Sequence, residues 1–484
     1  MSAAPGRSQA SSHRSPQGEG VQMSAAQPSS QPVPRLSDIR PCLEGAIPAI
    51  MATVAADGTP NVAYISQVFY VDDTRVALSF QFFNKTRQNI LANAQATVLV
   101  VDPHTSAFFR LHLLYLHTED QGPVFEAMKA QLAGIASHAG MGEVFRLRGS
   151  DIYEVQRIEP VPGQPLAAAP PRCAVLASLR RGSQQLARCT TLEELLATTL
   201  DTMRGLLGTE HAMVLMLDPV TQRLYTVASC GYATSGLGSE IEPGDGVIGV
   251  AAQQRTPVRI MHMTNAYLYH AAVRSSWRSN MPDLALDAHI PYPGLAEPHS
   301  QMAVPLVSAG QLRGALFAES PQELRFDFEQ EDMLVSFAGQ LGAAMHLLDG
   351  HELPELPGSA TTPADAGAMP QTAAGLPALR IRRYRVNNSI FIDDHYLIKG
   401  VAGAIFWKLV NDYRQTGRQE FSNRELRLDP AIGLPELTDN LEARLLLLQR
   451  RLSEHAAAIR IEKTGRGRFR LRVPQPIQLI DDGA

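Results

Sequence analysis

Cysteine is scarce in this chain of 484 residues, and long apolar runs are missing. The four cysteines, Cys42, Cys173, Cys189 and Cys230, have neither metal-ligand spacing nor the density of a small disulfide scaffold, which predicts free thiols in a reducing compartment. No apolar run approaches the roughly 20 residues that span a bilayer, and the N-terminus lacks the apolar core of a signal peptide. We therefore expect a cytoplasmic bacterial protein without membrane contact.

Proline, alanine, serine and glycine are concentrated in three stretches that divide the chain. At about 150 residues per domain, the length predicts roughly three domains. Residues 1–35 are predicted to be disordered, because they bury too little apolar surface to offset the entropy of ordering. Residues 161–173 are predicted to be a linker and residues 351–377 a disordered linker. Three folded segments remain, 36–160, 174–350 and 378–475.

Basic residues are concentrated near the C-terminus. Residues 378–473 contain 19 lysines and arginines against 11 acidic residues, whereas the whole chain has 43 against 48. This segment has a formal charge of +8, and the rest of the chain −13. A basic module on an acidic body is typical of a segment that meets a polyanion. We therefore expect the C-terminal segment to face double-stranded DNA.

The first folded segment has the pattern of an antiparallel sheet or barrel. Apolar runs at 47–54, 61–70 and 75–82 predict three strands, separated by the turns Asp57-Gly58 and Asp72-Asp73. A basic turn, Lys85-Thr86-Arg87, follows the third strand, a short helix is expected at 88–93, and another strand at 96–101.

Together these motifs resemble the flavin-binding split barrels of the pyridoxamine 5′-phosphate oxidase superfamily, in which the basic turn grips the flavin phosphate. The resemblance implies FMN as a cofactor, with Lys85, Thr86 and Arg87 as its binding residues. Basic charge plus a hydroxyl suits a phosphate. A barrel that has lost flavin and an FMN-dependent oxidoreductase both stay open. We assign no catalytic residue, because no set of substrate-phosphate residues like that of the authentic oxidase is present.

The middle segment combines helices with strands. An amphipathic helix is expected at 192–207, with Thr190 or Thr191 as its N-cap, and a closing helix at 328–348. The sequences G-D-G-V-I-G, A-V-P-L and L-x-G-x-L-x-x-E-S between them resemble a GAF domain. This resemblance implies an α/β sandwich that binds a small molecule or only dimerises. The identity of the ligand stays open.

An irregular stretch at 261–299 contains the candidate ligand-side residues of the middle segment. Its histidines, His262, His270, His289 and His299, show no spacing typical of a convergent metal or haem pair. We therefore predict no metal site.

The last segment combines strands, three helices and a basic hairpin. Helices are expected at 401–413, from 422 and at 435–453, followed by a hairpin at 459–473. This order resembles the winged-helix effector domain of bacterial response regulators, which places its third helix in the major groove of DNA. The resemblance implies DNA contacts by five arginines, Arg444, Arg451, Arg466, Arg468 and Arg470.

The third predicted helix departs from that family in one respect. Its start is acidic, with Glu436, Asp439 and Glu442, and carboxylates repel phosphate. A winged helix used for protein contacts therefore remains an alternative.

The sequence thus predicts a multidomain α+β protein with an antiparallel split β-barrel, a GAF α/β sandwich and a C-terminal winged helix. We expect a homodimeric regulatory protein that couples flavin or small-molecule sensing to DNA binding. An FMN-dependent oxidoreductase and a non-catalytic dimerising scaffold are the alternatives.

Overall fold

A computed structural model describes residues 34–45, 47–81, 85–139, 146–168, 174–205, 207–262, 290–350, 378–434, 440–455, 458–465 and 467–482. The predictions for residues 1–33 and 351–377 lie outside these ranges. No helix in the described ranges is long and apolar enough to cross a membrane.

The first segment is a single curled antiparallel sheet with two helices. A 3-10 helix, Leu36–Leu43, precedes it, and its helices are α1 Lys85–Ala92 and α2 Pro123–Ala139. The strands run in the order β2-β1-β5-β6-β7-β4-β3. Their bounds are β1 Ala49–Val54, β2 Pro60–Ile65, β3 Val68–Tyr70, β4 Arg75–Phe80, β5 Gln95–Val101, β6 Phe108–Glu119 and β7 Gly149–Pro160.

The strand expected at 61–70 is in fact two strands at opposite edges of this sheet. β2 pairs with β1, whereas β3 pairs with β4. The chain crosses between the edges at Ser66-Gln67, where the Gln67 carbonyl accepts from the Ser79 N–H at 3.1 Å. A crossing this short requires the sheet to curl, and alternate residues of β1 and β5 then line a closed apolar core.

The middle segment is a six-stranded antiparallel sheet between helices. Its strand order is β10-β9-β8-β13-β12-β11. The strands are β8 His211–Leu217, β9 Leu224–Cys230, β10 Glu240–Ile241, β11 Val258–Ile260, β12 Ser300–Ser308 and β13 Gln311–Ser320. The helices are α3 Val175–Leu186, α4 Leu192–Gly205, α5 Gly246–Gln254 and α6 Phe328–Gly350. Leu316 and Ala318 of β13 share a core with α3, α4 and α6, while Ala315 and Phe317 share one with α5.

In its described residues, the last segment has two small sheets and three helices. The strands are β14 Leu379–Tyr384, β15 Ser389–Ile392, β16 His395–Ile398, β17 Glu420–Ser422, β18 Arg460–Gly465, β19 Arg468–Arg472 and β20 Ile477–Asp482. The helices are α7 Gly400–Thr416, α8 Asn423–Leu428 and α9 Leu441–Glu454. One sheet has the order β16-β15-β14-β20 and the other β17-β19-β18. The sheet extends past the expected boundary at 475, because β20 pairs in parallel with β14.

The middle segment packs directly against both of its neighbours along the chain. Helix α2 of the first segment lies on α5 and β11 of the second, where Ala130 joins the core on that side of the sheet. The core on the opposite side continues from α4 and α6 into α7 and α9 of the last segment. The chain is therefore a mixed α/β multidomain protein with contacts between neighbouring domains.

Candidate functional site

The predicted phosphate-binding turn forms the first turn of α1, and its three side chains have different surroundings. Lys85 is exposed. Thr86 is 6% exposed, and its hydroxyl accepts from the Asn61 side-chain amide at 2.9 Å. Asn61 and Asn89 also donate to the Thr53 hydroxyl, at 3.4 and 3.1 Å. The Thr86 hydroxyl therefore belongs to an internal polar cluster that ties α1 to β1 and β2.

Arg87 points into the barrel. Its Nη1 lies 2.5 Å from Asp151 Oδ1 and its Nη2 donates to Thr118 Oγ1 at 2.7 Å. The guanidinium also lies over the Phe80 ring, 4.6 Å from its centroid. Burial alone would lower the pKa of Arg87, but the Asp151 carboxylate outweighs that effect and raises it. Of the three residues predicted to bind the flavin phosphate, Lys85 is exposed, whereas the Thr86 hydroxyl and the Arg87 guanidinium are held by protein groups. The binding role of all three residues stays a prediction.

A second set of polar residues crosses the GAF-like sheet. Glu319 of β13 pairs with His211 of β8 on one side and Gln301 of β12 on the other. Glu319 is 1% exposed and accepts from the Gln301 amide at 2.9 Å and the Leu295 N–H at 2.8 Å. Burial raises the pKa of Glu319, against the opposing effect of these donors and the Tyr232 hydroxyl. This carboxyl on the α5 side of the sheet was not predicted, although it lies within the quoted E-S sequence.

Two of the histidines come together in space. His262 Nδ1 and His299 Nδ1 each lie 3.4 Å from Glu323 Oε1, with side chains 46% and 37% exposed. Their separation of 37 positions along the chain gave no sign of this meeting. No group in the described ranges has the arrangement of a metal site. His270 and His289 lie outside those ranges.

The C-terminal arginines fall into two groups. Arg444 is 7% exposed and pairs with Asp218 Oδ2 of the middle segment at 2.6 Å. Arg451 is 8% exposed and donates to the Leu397 carbonyl at 3.0 Å. Both side chains are enclosed by protein, so the expected DNA contacts are not offered in this arrangement.

The hairpin β18–β19 presents the other group. Arg468 is exposed. The Arg470 side chain is 42% exposed, and its Nη2 lies 2.5 Å from Glu420 Oε1. Arg466 lies outside the described residues, as do Glu436 and Asp439. Glu442 is exposed at the start of α9.

Comparison with known proteins locates two families along the chain. The pyridoxamine 5′-phosphate oxidase model matches residues 37–149, and the GAF domain model matches residues 191–345. No curated protein matches the sequence significantly.

Solved structures resemble the same two segments. An FMN-binding protein from Syntrophomonas wolfei is 17% identical, with 26% of this chain and 86% of that chain covered and a TM-score of 0.23. The GAF domain of an Acinetobacter phosphoenolpyruvate-protein phosphotransferase is 20% identical, with 36% and 92% covered and a TM-score of 0.28. A free methionine-R-sulfoxide reductase from Neisseria meningitidis is 21% identical, with 37% and 93% covered and a TM-score of 0.28. The family models are the stronger finding: the chain has a pyridoxamine 5′-phosphate oxidase-like domain followed by a GAF domain.

Proposed function

We propose that this chain is a sensory protein in which a flavin-binding barrel and a ligand-binding GAF domain control a DNA-binding C-terminal domain. The proposal of flavin sensing is supported by the family match of residues 37–149. Within that match, Lys85 is exposed at the turn that resembles the flavin-phosphate-binding turn of the family. The GAF match supplies a second small-molecule module. Neither match specifies the ligand.

The fit of FMN rests on the residues around α1. Lys85 supplies a cation at the helix N-terminus, and no acidic residue in the first turn opposes an anion there. Four residues earlier, Gln81 Oε1 is buried without a hydrogen-bond partner among the described residues, so it could accept from a polar ligand. Thr86 and Arg87 hold α1 in position from inside the barrel. A bound flavin would supply a redox-active ring, and Lys85 would neutralise its phosphate.

We further propose that the chain forms a homodimer through the edge of the barrel sheet. β2 is an edge strand of the barrel sheet, and its outward residues Val62 and Tyr64 are 67% and 80% exposed. Ile50 and Val54 of the adjacent β1 extend this apolar surface. An edge strand with an exposed apolar face is a typical pairing surface. We infer that two chains meet here as a homodimer.

The DNA-binding half rests on topology and charge. Helices α7, α8 and α9 followed by the hairpin β18–β19 have the order of a winged helix. Ser422 caps α8 by accepting from the Glu425 N–H. The hairpin carries Arg468, Arg470 and Arg472, and a wing of this kind contacts the phosphate backbone.

The flavin proposal is tested by FMN titration of the full chain, followed by absorption and flavin fluorescence. We expect saturable binding, and a roughly ten- to hundredfold loss of affinity in Lys85→Ala, because one charge-assisted phosphate contact is worth roughly 1.5–3 kcal/mol. Lys129→Ala, on α2 of the same domain, is the control and should bind as wild type does. If the full chain shows no saturable binding of FMN, flavin sensing is refuted. Turnover of a reductant by the loaded chain would favour the oxidoreductase instead.

A further inference from the structure

Helix α9 is covered on both sides. Its inner face, including Leu448 and Leu452, packs in the C-terminal domain. Its outer face lies against β9 and α4 of the GAF domain. Of its 14 residues, three are exposed, Glu442, Ser453 and Glu454.

The contacts of the outer face are polar and specific. Arg444 pairs with Asp218 at 2.6 Å, and its guanidinium lies 4.2 Å from the centroid of the Tyr225 ring. Arg450 Nη1 donates to the Val227 carbonyl at 2.7 Å. The side-chain amide of Asn440, just before the helix, donates to the Leu217 carbonyl at 3.3 Å. One end of α9 and its middle are thus fixed to β8 and β9.

Two lysines extend the same charge pattern on either side of α9. Lys399 Nζ lies 3.1 Å from Glu240 Oε2, and Lys463 Nζ lies 3.3 Å from Glu193 Oε2. Four basic side chains of the C-terminal domain therefore meet oxygen atoms of the GAF domain: Arg444, Arg450, Lys399 and Lys463. A DNA backbone offers the same kind of partner, since phosphate oxygens accept from lysine and arginine.

We infer that the GAF domain and a DNA duplex compete for one face of α9, so that DNA binds when the C-terminal domain leaves the GAF domain. This inference rests on the DNA-binding function proposed above. A helix that enters the major groove must present its outer face to base edges and backbone. Asp218, Tyr225 and Val227 occupy that face, so the two partners exclude each other.

The junction between the GAF domain and the C-terminal domain has an open cavity at one edge. A cavity of about 1860 Å³ opens beside α9, between the start of α4 and the hairpin β18–β19. Its walls include charged residues of both domains, among them Glu193, Glu442 and Lys463. These charged residues lie at the edge of a junction whose interior is apolar, since the two domains share one hydrophobic core. Polar contacts of this kind are usual between domains of one chain.

The test uses the full chain and leaves the C-terminal domain unchanged. The triple variant Asp218→Asn, Glu193→Gln, Glu240→Gln removes the GAF carboxylates that hold Arg444, Lys463 and Lys399. Binding to a fluorescently labelled duplex of random sequence is followed by anisotropy at low salt. Deuterium exchange of residues 440–454 in the same samples reports whether α9 is covered. The control, Glu297→Gln, Glu323→Gln, Glu329→Gln, makes the same change in charge elsewhere on the GAF domain.

We expect the docking variant to expose α9 to exchange and to bind DNA about tenfold more tightly than wild type, because a docked fraction above about 90% lowers the apparent affinity by that factor. The control should match wild type in both measurements. Equal DNA affinity of wild type and the docking variant, with α9 exposed only in the variant, would refute competition and leave DNA binding intact. Exposure of α9 without DNA binding in any sample would refute the DNA-binding function, and competition with it.

Discussion

Arg87 illustrates how the partners of one side chain limit its role. Its guanidinium, 15% exposed, is paired with an Asp151 side chain that is 7% exposed. Replacing Arg87 with alanine leaves that carboxylate buried without its cation. We expect Arg87→Ala to lower the free energy of unfolding by about 3 kcal/mol, as is usual when one member of a buried pair is removed. Urea denaturation measures this loss.

Arg75 provides the matched control within the same domain. It pairs with Asp72 at 2.7 Å, but its side chain is 44% exposed. Exposed pairs contribute less than about 1 kcal/mol, so Arg75→Ala should change the stability little. Equal losses of unfolding free energy in Arg87→Ala and Arg75→Ala would show that burial does not increase the contribution of the Arg87–Asp151 pair to stability.

Glu319 predicts a pH dependence of stability. Burial raises the pKa of Glu319 above its ordinary value of 4.5, so the folded chain holds this proton more tightly than the unfolded chain does. The contribution of the protonated Glu319 to the free energy of unfolding is fully present below pH 4.5 and is lost as pH rises through the folded-state pKa. For each unit by which the folded-state pKa exceeds the ordinary value, the free energy of unfolding is about 1.4 kcal/mol lower at a pH above the folded-state pKa.

The variant Glu319→Gln isolates this effect. It carries no titrating group at position 319, so its stability relative to wild type should increase as pH rises above 4.5 and then become constant. Chemical denaturation over a pH series gives the difference curve. A difference that does not vary with pH would mean that Glu319 has the same pKa in both states.

Sequence reasoning found the basic residues but not their surroundings. Lys85, Thr86 and Arg87 are adjacent in sequence, yet one is exposed, one is in a polar cluster and one is in an ion pair. The partners that make the difference, Asp151 for Arg87 and Asp218 for Arg444, lie far away along the chain. Contacts at such separations are set by the fold and leave no local pattern.

Secondary-structure elements with local signals were predicted well. Helix α4 begins where its caps predicted, because Thr191 Oγ1 accepts from the Glu194 N–H at 3.2 Å and the Glu194 carboxylate accepts from the Thr190 N–H at 2.9 Å. The break between β2 and β3 and the strand β20 were missed. Both depend on pairing with strands distant in sequence, which alternation of polar and apolar residues does not reveal.

Helix α2 depends on close packing against the GAF domain at Gly134. A Cβ atom there would lie 2.3 Å from Cγ1 of Val258, whose side chain is fully buried. We expect Gly134→Ala to destabilise the junction between the first two domains by about 1–3 kcal/mol, the usual cost of overpacking. Thermal unfolding monitored by calorimetry measures the effect.

Gly339 is the control for a glycine in a helix. It lies in α6, and a Cβ atom there would meet nothing within 4 Å. Gly339→Ala should therefore stabilise the chain by up to about 1 kcal/mol through helix propensity. Stabilisation by Gly134→Ala as well would contradict the close packing of α2.

At the scale of the whole molecule, the barrel and the GAF domain share a buried ion cluster. Arg259 is 6% exposed and pairs with Glu44 from the first domain and with Glu331 of α6 at 2.6 Å. Arg40 adds a contact over the Phe328 ring, 4.2 Å from its centroid. Together with the C-terminal contacts of α9, this cluster gives the GAF domain a direct junction with each of its neighbours.

The proposed homodimer makes a prediction at the same scale. Replacing Tyr64 with aspartate adds a charge to the apolar face of β2, where Tyr64 is 80% exposed. We expect Tyr64→Asp to be monomeric by light scattering at concentrations where wild type is a dimer. Leu176→Asp is the control, since Leu176 is equally exposed but lies on α3. A wild-type monomer, or a variant that still dimerises, would exclude this face as the interface.

The central claim is that small-molecule binding and DNA binding are coupled in one chain. The most direct test measures the affinity of the full chain for a labelled duplex with and without saturating FMN. We predict different dissociation constants in the two conditions, and by thermodynamic reciprocity DNA must change the affinity for FMN by the same factor. Identical dissociation constants, with FMN shown to be bound, would contradict the coupling.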